Sequence, residues 1–509
     1  MDLPASQHAQ QRAPIPAWAW ALLAAVFAVR FVLLTTTPIQ LYPDEAQYWG
    51  WAQNPAFGYY SKPPLVAWLI ASTTALFGDD EWAVRLSALL CHTGAAAALM
   101  LLGRDLYGKT AGLLTGALWL TAPAVALSSM IVSTDAPLML CWSVMLLALF
   151  RLAATRSWAW AGVLGAAIGL GLLAKYAMLY GLIALALAAL VDVRTRRAVL
   201  SRQGALAALV CAALVAPNLV WNAMNGMATI AHTADNADWS GSLIHPGEMI
   251  EFWIAQLGVF GLAAFPLMIA AIVLGFRGML GRDGAVLAAF ATAPLVIVSA
   301  QAFLAHAYAN WAFAAYPAGA VLSAGLLTSS QAGARLRRGG VALILGVGLA
   351  TSVGFAAMLL SQRLVDAVGL ANAFKQTRAW NQTSDAILDA AAEVGFDTIL
   401  FDDRFAFHAV DYYGRERPRR EELTMWRRYE APSGHAETCC ALKSGAAGPV
   451  LLVSHFPPYD PWFAADFARV EPVGEIVVDL GGGIERRLRL FAASGYEPVT
   501  PRASDAPPD

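Results

Sequence analysis

Charged residues are scarce in this chain, making up 14% of its 509 residues, against roughly a quarter in an ordinary soluble domain. Together with 58% hydrophobic residues and a mean hydropathy of +0.53, that scarcity excludes a soluble globular protein and leaves a polytopic membrane protein. The net charge is only −2, so there is no cationic excess with which to hold nucleic acid. Five cysteines are too few and too scattered for a disulfide framework. Cys91, Cys141 and Cys211 fall in apolar stretches and Cys439 and Cys440 are adjacent, so all five read as packing residues, with a vicinal bridge as the alternative for the last two. Internal repeats, Walker loops and GxGxxG turns are also missing, which removes the usual cradles for nucleotide phosphates.

What the chain does have is a series of apolar segments near the 20 residues that a bilayer core requires. The first, 16–36, is longer than a signal-peptide apolar region and reads as an uncleaved anchor after a polar segment 1–15. Further segments at 84–102, 110–128, 136–152, 158–173, 177–191, 204–221, 249–276, 285–304, 311–327 and 341–360 bring the expectation to about eleven helices, or up to thirteen if some are divided differently. Alternate loops differ sharply in cation content. One set carries clusters such as Arg194, Arg196, Arg197, Arg335, Arg337 and Arg338, whereas the other holds only Lys62, Arg85 and Lys175. The positive-inside rule puts the first set in the cytoplasm and the second outside. Asp44, Glu45, Asp79, Asp80, Glu81, Asp135, Asp235, Asp238, His232, His245 and Glu248 then also lie in or beside external loops. ATP and nucleotide sugars are accordingly poor substrate candidates.

After residue 360 the composition becomes mixed and charged. A helical pattern at 382–394, strand-like runs at 397–402, 450–455, 475–479 and 487–492, and a Gly481-Gly482-Gly483 turn predict an extracytoplasmic α/β domain over 361–497. The tail 498–509, rich in Pro, Ala and Asp, is expected to be disordered.

The most informative polar stretch is 42–68, within an external loop spanning 37–83 of the membrane domain 16–360. Asp44 and Glu45 follow Pro43, and Tyr48, Trp49 and Trp51 then predict a helix lying at headgroup level. Tyr59 and Tyr60 lead to Lys62, and Pro63 opens the next helical run. A cation at a helix start suits a phosphate, although Lys62 could equally mark the membrane interface. The two acids could simply cap a helix. A second external acid, Asp135 in Ser133-Thr134-Asp135-Ala136-Pro137, again stands beside a helix start. Two acids facing one external volume could orient an acceptor hydroxyl and remove its proton. Arg85 assists a phosphate or pairs with Asp79, Asp80 or Glu81. His92 and Arg30 lie within spans, where packing and snorkelling are expected.

The motifs PDEAQYW, GYYSKPPLVAWL, STDAPL, GLLAKYAM and AHAYANWAFAAYP resemble the lipid-linked-sugar glycosyltransferases of the GT-C fold. The likeness is to the bacterial lipid A aminoarabinose transferase group and, more distantly, to the protein O-mannosyltransferases. It runs over about 41–327 and is weak beyond. The resemblance implies an all-α polytopic domain that transfers a sugar, with inversion, from a polyprenyl phosphate to an acceptor at the outer face of the inner membrane. By that resemblance Asp44 is the catalytic carboxylate and Asp135 a second functional one. Lys62 meets the donor phosphate, and Lys175 serves the phosphate or an acidic part of the substrate; Arg85, from its position, is a further phosphate candidate. Glu45, Tyr48, Tyr59, Tyr60, His306 and Asn310 line the substrate pocket. Where the aminoarabinose transferase has a metal-holding glutamate before Lys-Pro-Pro, this chain has Ser61, so no obligatory metal is expected, and a divalent ion between an acid and the donor phosphate stays an open alternative.

The expected partners are a polyprenyl-phosphate sugar, an envelope glycolipid or polysaccharide acceptor and the bilayer. Ser or Thr of a secreted protein is the alternative acceptor. A transporter of lipid-linked sugars is the competing class, but transporters usually place ionisable groups at the bilayer midplane within repeats. The transferase reading requires Asp44, Lys62 and Asp135 to converge.

Overall fold

The computed structural model describes residues 13–499 apart from 236, 238, 240–243, 331–332, 419–420, 430 and 447. Residues 1–12 of the expected cytoplasmic segment, Asp238, and residues 500–509 of the expected tail lie outside the described set. The chain forms two compact units, one of Met1–Thr36 with Lys62–Ala357 and one of Thr37–Ser61 with Met358–Asp509. The external loop expected over 37–83 is therefore divided after Ser61.

In the first unit, seven described helices are long and apolar enough to cross a bilayer: Ala17–Thr36, Glu81–Tyr107, Asp135–Thr155, Arg202–Met224, Gly281–Leu304, Ala309–Thr328 and Arg337–Leu360. Pro246–Phe260 and Ala264–Phe276, bent by 105° at their junction, make an eighth span if taken together. Three shorter apolar helices, Leu65–Phe77, Trp158–Ala174 and Tyr176–Val191, accompany them. Ala309–Thr328 is enclosed by protein, whereas Arg202–Met224 and Arg337–Leu360 leave most of their apolar surface uncovered. That distribution suits inner helices packed on helices and outer ones facing lipid.

Two segments that read as continuous spans are broken, each for a local reason. The run over 110–128 is split at Ala122, which takes an extended conformation (φ −62°, ψ 131°) ahead of Pro123. The proline ring disfavours helical geometry in the residue before it. The run over 249–276 breaks at Gly261, whose φ of 113° is open to glycine and strained for other residues. The first break explains Arg30. Rather than snorkelling, its side chain is only 9% exposed and donates to the Leu120 carbonyl at 2.6 Å and to Ser129 Oγ at 3.0 Å. It satisfies a carbonyl that an interrupted helix leaves without its usual N–H. His92 packs as expected, its Nε2 lying 2.7 Å from Ser128 Oγ.

Helices Trp158–Ala174 and Arg202–Met224 approach closely through Gly165, where an added Cβ would lie 2.2 Å from the Ala207 carbonyl oxygen. Close helix approach through small residues is a principal source of packing energy inside a membrane. Gly165→Ala must push the pair apart, at a cost of about 1–3 kcal/mol. The expected result is a lowered thermal-unfolding midpoint of the detergent-solubilised protein, with Gly162→Ala, which meets nothing within 4 Å, as the silent control.

The second unit is built on a five-stranded sheet of order β2-β1-β3-β5-β4. Its strands are β1 (Thr398–Phe401), β2 (Glu422–Met425), β3 (Val450–Ser454), β4 (Phe467–Gly481) and β5 (Ile484–Tyr496). β1 pairs in parallel with both β2 and β3, and β5 runs antiparallel to β3 and β4. The central strands are apolar on both faces because both are covered. Ile399 and Phe401 pack with Trp380, Ile387 and Val410, while Leu400 packs with Trp426, Leu452 and Phe463. Helix Trp380–Val394 and four of the strands match the sequence reading, and the Gly481 region forms the β4–β5 turn. β2 and helix Arg404–Tyr413 were not anticipated. Cys439 and Cys440 are bridged as a vicinal pair.

The aromatic segment 37–61 belongs to this unit. Helix Pro43–Gln53 packs against helix Arg404–Tyr413, with Trp49 edge-on to Tyr412 at 5.0 Å and the Leu41 N–H donating to Tyr413 Oη at 2.8 Å. Trp51 stacks on Tyr59 at 4.6 Å. Tyr48, Trp49 and Trp51, expected at headgroup level, are instead 5%, 6% and 2% exposed, because their rings fill the seam between that helix and the C-terminal domain.

His408 in helix Arg404–Tyr413 is wholly buried, with no hydrogen-bond partner on either ring nitrogen among the described residues. Burial, aided by the charge of Arg404, holds its pKa well below the ordinary imidazole value. The unfolded chain takes up this proton as pH falls through about 6.5, whereas the folded one does not. The contribution to stability is therefore complete above that pH and is lost below it. In His408→Leu, the acid-induced drop in unfolding midpoint between pH 6.5 and 5 should be smaller than in the wild type.

Candidate active site

The expected site residues fall into two sets, one in each unit. In the membrane unit, three segments distant in sequence meet at Asp135. The side chain of Lys175 donates to Asp135 Oδ1 at 2.7 Å, and Asn310 Nδ2 donates to Oδ2 at 3.0 Å. Local sequence explains the convergence. Asp135 is the first residue of helix Asp135–Thr155, Lys175 is the extended residue that ends Trp158–Ala174, and Asn310 lies in the 3-10 turn Ala309–Ala315. An acid at a helix N-terminus is favoured by the helix dipole, and here it is 8% exposed, so its charge needs the partners it has. With both oxygens already accepting, Asp135 is better suited to fixing an ammonium than to taking a proton.

Lys62 also belongs to this unit. The helix after it starts at Leu65 with Pro64 as cap, two residues later than the sequence suggested. Arg85 lies inside helix Glu81–Tyr107 and is 1% exposed, a buried cation rather than a surface one. His306 contacts Tyr308 and Trp311, with ring centroids 5.4 and 6.2 Å away.

In the second unit, Asp44 stands in the first turn of helix Pro43–Gln53. Its Oδ1 accepts from Arg404 Nη1 at 2.9 Å, and the same nitrogen donates to Gln47 Oε1 at 2.7 Å. The Asp44 side chain remains 41% exposed and so accessible to a reactant. Its neighbour behaves differently. Glu45 is 1% exposed and accepts from the Tyr42 N–H at 2.9 Å, the reciprocal bond of a helix cap. Glu45 thus caps the helix that carries Asp44.

The tyrosines likewise have partners within the unit. Tyr59 is 3% exposed, its hydroxyl donating to the Trp51 carbonyl at 3.0 Å while accepting from the Ala56 N–H. Tyr60 donates to the Pro432 carbonyl, and Tyr48 packs on Trp51. All three hold the loop in shape. Arg404 and Gln47 are the site-forming residues that sequence reading missed. Asp403 accepting from the Phe405 N–H at 3.1 Å marks a readable helix start, but no local pattern ties Arg404 to an acid 360 residues earlier.

Residues 61–221, which include Lys62, Arg85, Asp135 and Lys175, match the family model described as dolichyl-phosphate-mannose-protein mannosyltransferase. The lipid A galacturonosyltransferase RgtD of Rhizobium johnstonii is 39% identical over 300 residues, 58% of this chain, and the match spans 63% of that relative's own length. Among solved structures, ArnT from Cupriavidus metallidurans bound to undecaprenyl phosphate superposes with a TM-score of 0.66 at 18% identity, over 94% of this chain and 98% of that one.

The chain has the GT-C fold.

ArnT in the apo state gives a TM-score of 0.65 over the same shares. The archaeal oligosaccharyltransferase AglB from Archaeoglobus fulgidus gives 0.51 at 13% identity, covering 86% of this chain and 69% of that one. The resemblance read from the motifs is thus borne out, and the protein is a multi-pass membrane protein of GT-C architecture with a small C-terminal sheet domain. In this GT-C chain, Lys175→Met removes one of two donors to a nearly buried carboxylate, at a cost of about 1–3 kcal/mol. A lower unfolding midpoint in Lys175→Met, partly restored in Lys175→Met with Asp135→Asn, is the expected outcome.

Proposed function

We propose that the chain is an inverting glycosyltransferase that moves a sugar from a polyprenyl phosphate to an envelope glycolipid at the periplasmic face of the inner membrane. The observation that carries this reading is the Asp135–Lys175–Asn310 cluster, whose acid and lysine lie in the stretch matched by the mannosyltransferase family model. The likeness to RgtD supports lipid A as acceptor and a uronic acid as the sugar. The distribution of loop cations supports a cytoplasmic N-terminus and a periplasmic C-terminal domain.

In the proposed reaction the bond between the anomeric carbon and the phosphate oxygen breaks, and the electron pair leaves with the polyprenyl phosphate. The acceptor hydroxyl forms the new bond from the opposite face, and its proton passes to Asp44. Arg404 and Gln47 orient that carboxylate. Lys62, Arg85 and Lys175 neutralise charge developing on the phosphate, which makes a separate general acid dispensable. Asp135 and Asn310 hold Lys175 in place, and His306 lines the pocket. The reading assigns no obligatory metal.

The test is purified protein in vesicles with polyprenyl-phosphate galacturonate, a neutral hexose donor and an aminopentose donor, with lipid A as acceptor. The wild type should consume the uronate donor and yield a product of inverted anomeric configuration. Asp44→Asn should lower turnover about 100-fold or more while keeping donor binding. Full activity in Asp44→Asn would remove the base role. Movement of intact lipid-linked sugar across the vesicle without transfer would favour a transporter. The description of the matched family model favours one second reading, transfer to Ser or Thr of a protein, and a peptide acceptor in the same assay discriminates it.

A further inference from the structure

A cavity of about 620 Å³ lies within the second unit, lined among others by Lys375, Asp403, Arg404, Arg428, His455 and Arg486. Its position follows from strand order. β1 sits between β2 and β3 and is parallel to both. The chain leaving β1 turns through helix Arg404–Tyr413 towards β2, whereas the chain leaving β3 turns towards the β5–β4 side. The crevice outside the carboxyl ends of β1 and β3 is therefore a topological switch point, where open parallel sheets bind ligands. Asp403 and Arg404, just after β1, and His455 and Phe456, just after β3, all line the cavity. Asp402 fixes both edges by accepting from Ser454 Oγ at 2.9 Å and from the N–H groups of His455 at 2.9 Å and Phe456 at 3.3 Å.

The charge of the wall is a second, independent observation. Lys375, Arg404, Arg428 and Arg486 face only Asp403 and Glu485 among the lining acids. Arg486 is 5% exposed and lies 3.4 Å over the Trp380 ring. Its bonds go to neutral oxygens: the Ala379 carbonyl, Thr383 Oγ1 at 2.8 Å and the Lys375 carbonyl. A buried guanidinium without a bonded carboxylate is costly: burial lowers its pKa to about 10, opposed by the charge of Asp403. Arg428 donates to Tyr459 Oη and pairs with Glu437 at 4.0 Å, and its buried Nε makes no hydrogen bond among the described residues. The volume is that of a small-molecule site rather than of a bare ion, and Gln376, Ser433 and His455 on the wall provide donors and acceptors for hydroxyls.

We propose that this switch-point cavity is a saccharide site distinct from the Asp135 cluster, and that it takes a sugar bearing a carboxylate or a phosphate. It depends on the proposed transferase reading only for the source of that sugar, an acceptor headgroup, and not for its existence. Through Arg404, which lines the cavity and also holds Asp44, an occupant would be sensed at the expected base.

The test uses full-length protein in detergent titrated calorimetrically with D-galacturonic acid, glucosamine 1-phosphate, D-galactose and inorganic phosphate. The variants are Lys375→Gln and Lys375→Gln with Arg428→Gln. An anionic sugar should bind, galactose should not, and the double variant should weaken binding about ten-fold or more at an unchanged unfolding midpoint. Whichever of the uronate and the sugar phosphate binds more tightly identifies the anionic group. Should Arg428→Gln lower the midpoint, Lys375→Gln alone carries the test, because its ammonium has no partner among the described residues. Binding of inorganic phosphate as tight as that of either sugar, equal binding of galactose, or affinities unchanged in folded variants would overturn the proposal. Donor consumption is read separately, so failure of the transferase reading and failure of this site are distinguishable.

Discussion

A carboxylate nine-tenths covered by an apolar helix bundle is tolerable only if its charge is answered on the spot, and the membrane unit is arranged around that requirement. Asp135 receives Lys175 on one oxygen and Asn310 on the other. Meeting the demand fixes the end of helix Trp158–Ala174, the start of Asp135–Thr155 and the turn after Gly281–Leu304 relative to one another. Arg30 obeys the same rule with neutral partners, taking up the Leu120 carbonyl that the break before Pro123 leaves exposed. Ionisable groups are rare inside such a bundle because each must be satisfied there, which is why they point to function when they occur.

The C-terminal unit shows a different economy of charge. Several of its carboxylates are used as fasteners: Glu45 for a helix start, Asp402 for two loop edges and Asp366 for Arg378. Asp44 differs from these three, since its ion pair with Arg404 leaves it 41% exposed. One acid of an adjacent pair is thus buried and structural and the other open, although the sequence presents them as equals.

Legibility in the sequence tracked the range of the interactions involved. The apolar spans were readable because each depends only on the composition of its own window, and the breaks at Ala122 and Gly261 reflect single residues whose local geometry can be named afterwards. Strands β1 and β3 were readable as short apolar runs. Strand β2, with Glu422 and Thr424 among its four residues, carries too weak a pattern and is held by pairing with β1. The motifs STDAPL and GLLAKYAM pointed to Asp135 and Lys175 as site residues, yet their direct contact depends on tertiary packing. The least readable feature was the destination of residues 37–61. Their aromatic side chains suit a membrane interface as well as a protein seam, and only partners more than 300 residues away decide between the two.

That destination has a consequence for biosynthesis. The backbone crosses between the two units three times, at Thr36/Thr37, Ser61/Lys62 and Ala357/Met358, so the second unit is assembled from an early segment and a late one. During translation the tryptophans at 49 and 51 emerge long before Tyr412 and His435, against which they pack. A ribosome-bound chain lacking its last 150 or so residues must keep this aromatic segment soluble without its native seam, and such exposed apolar surface is what holding chaperones recognise. The order of synthesis therefore delays completion of the second unit until its late segment has emerged.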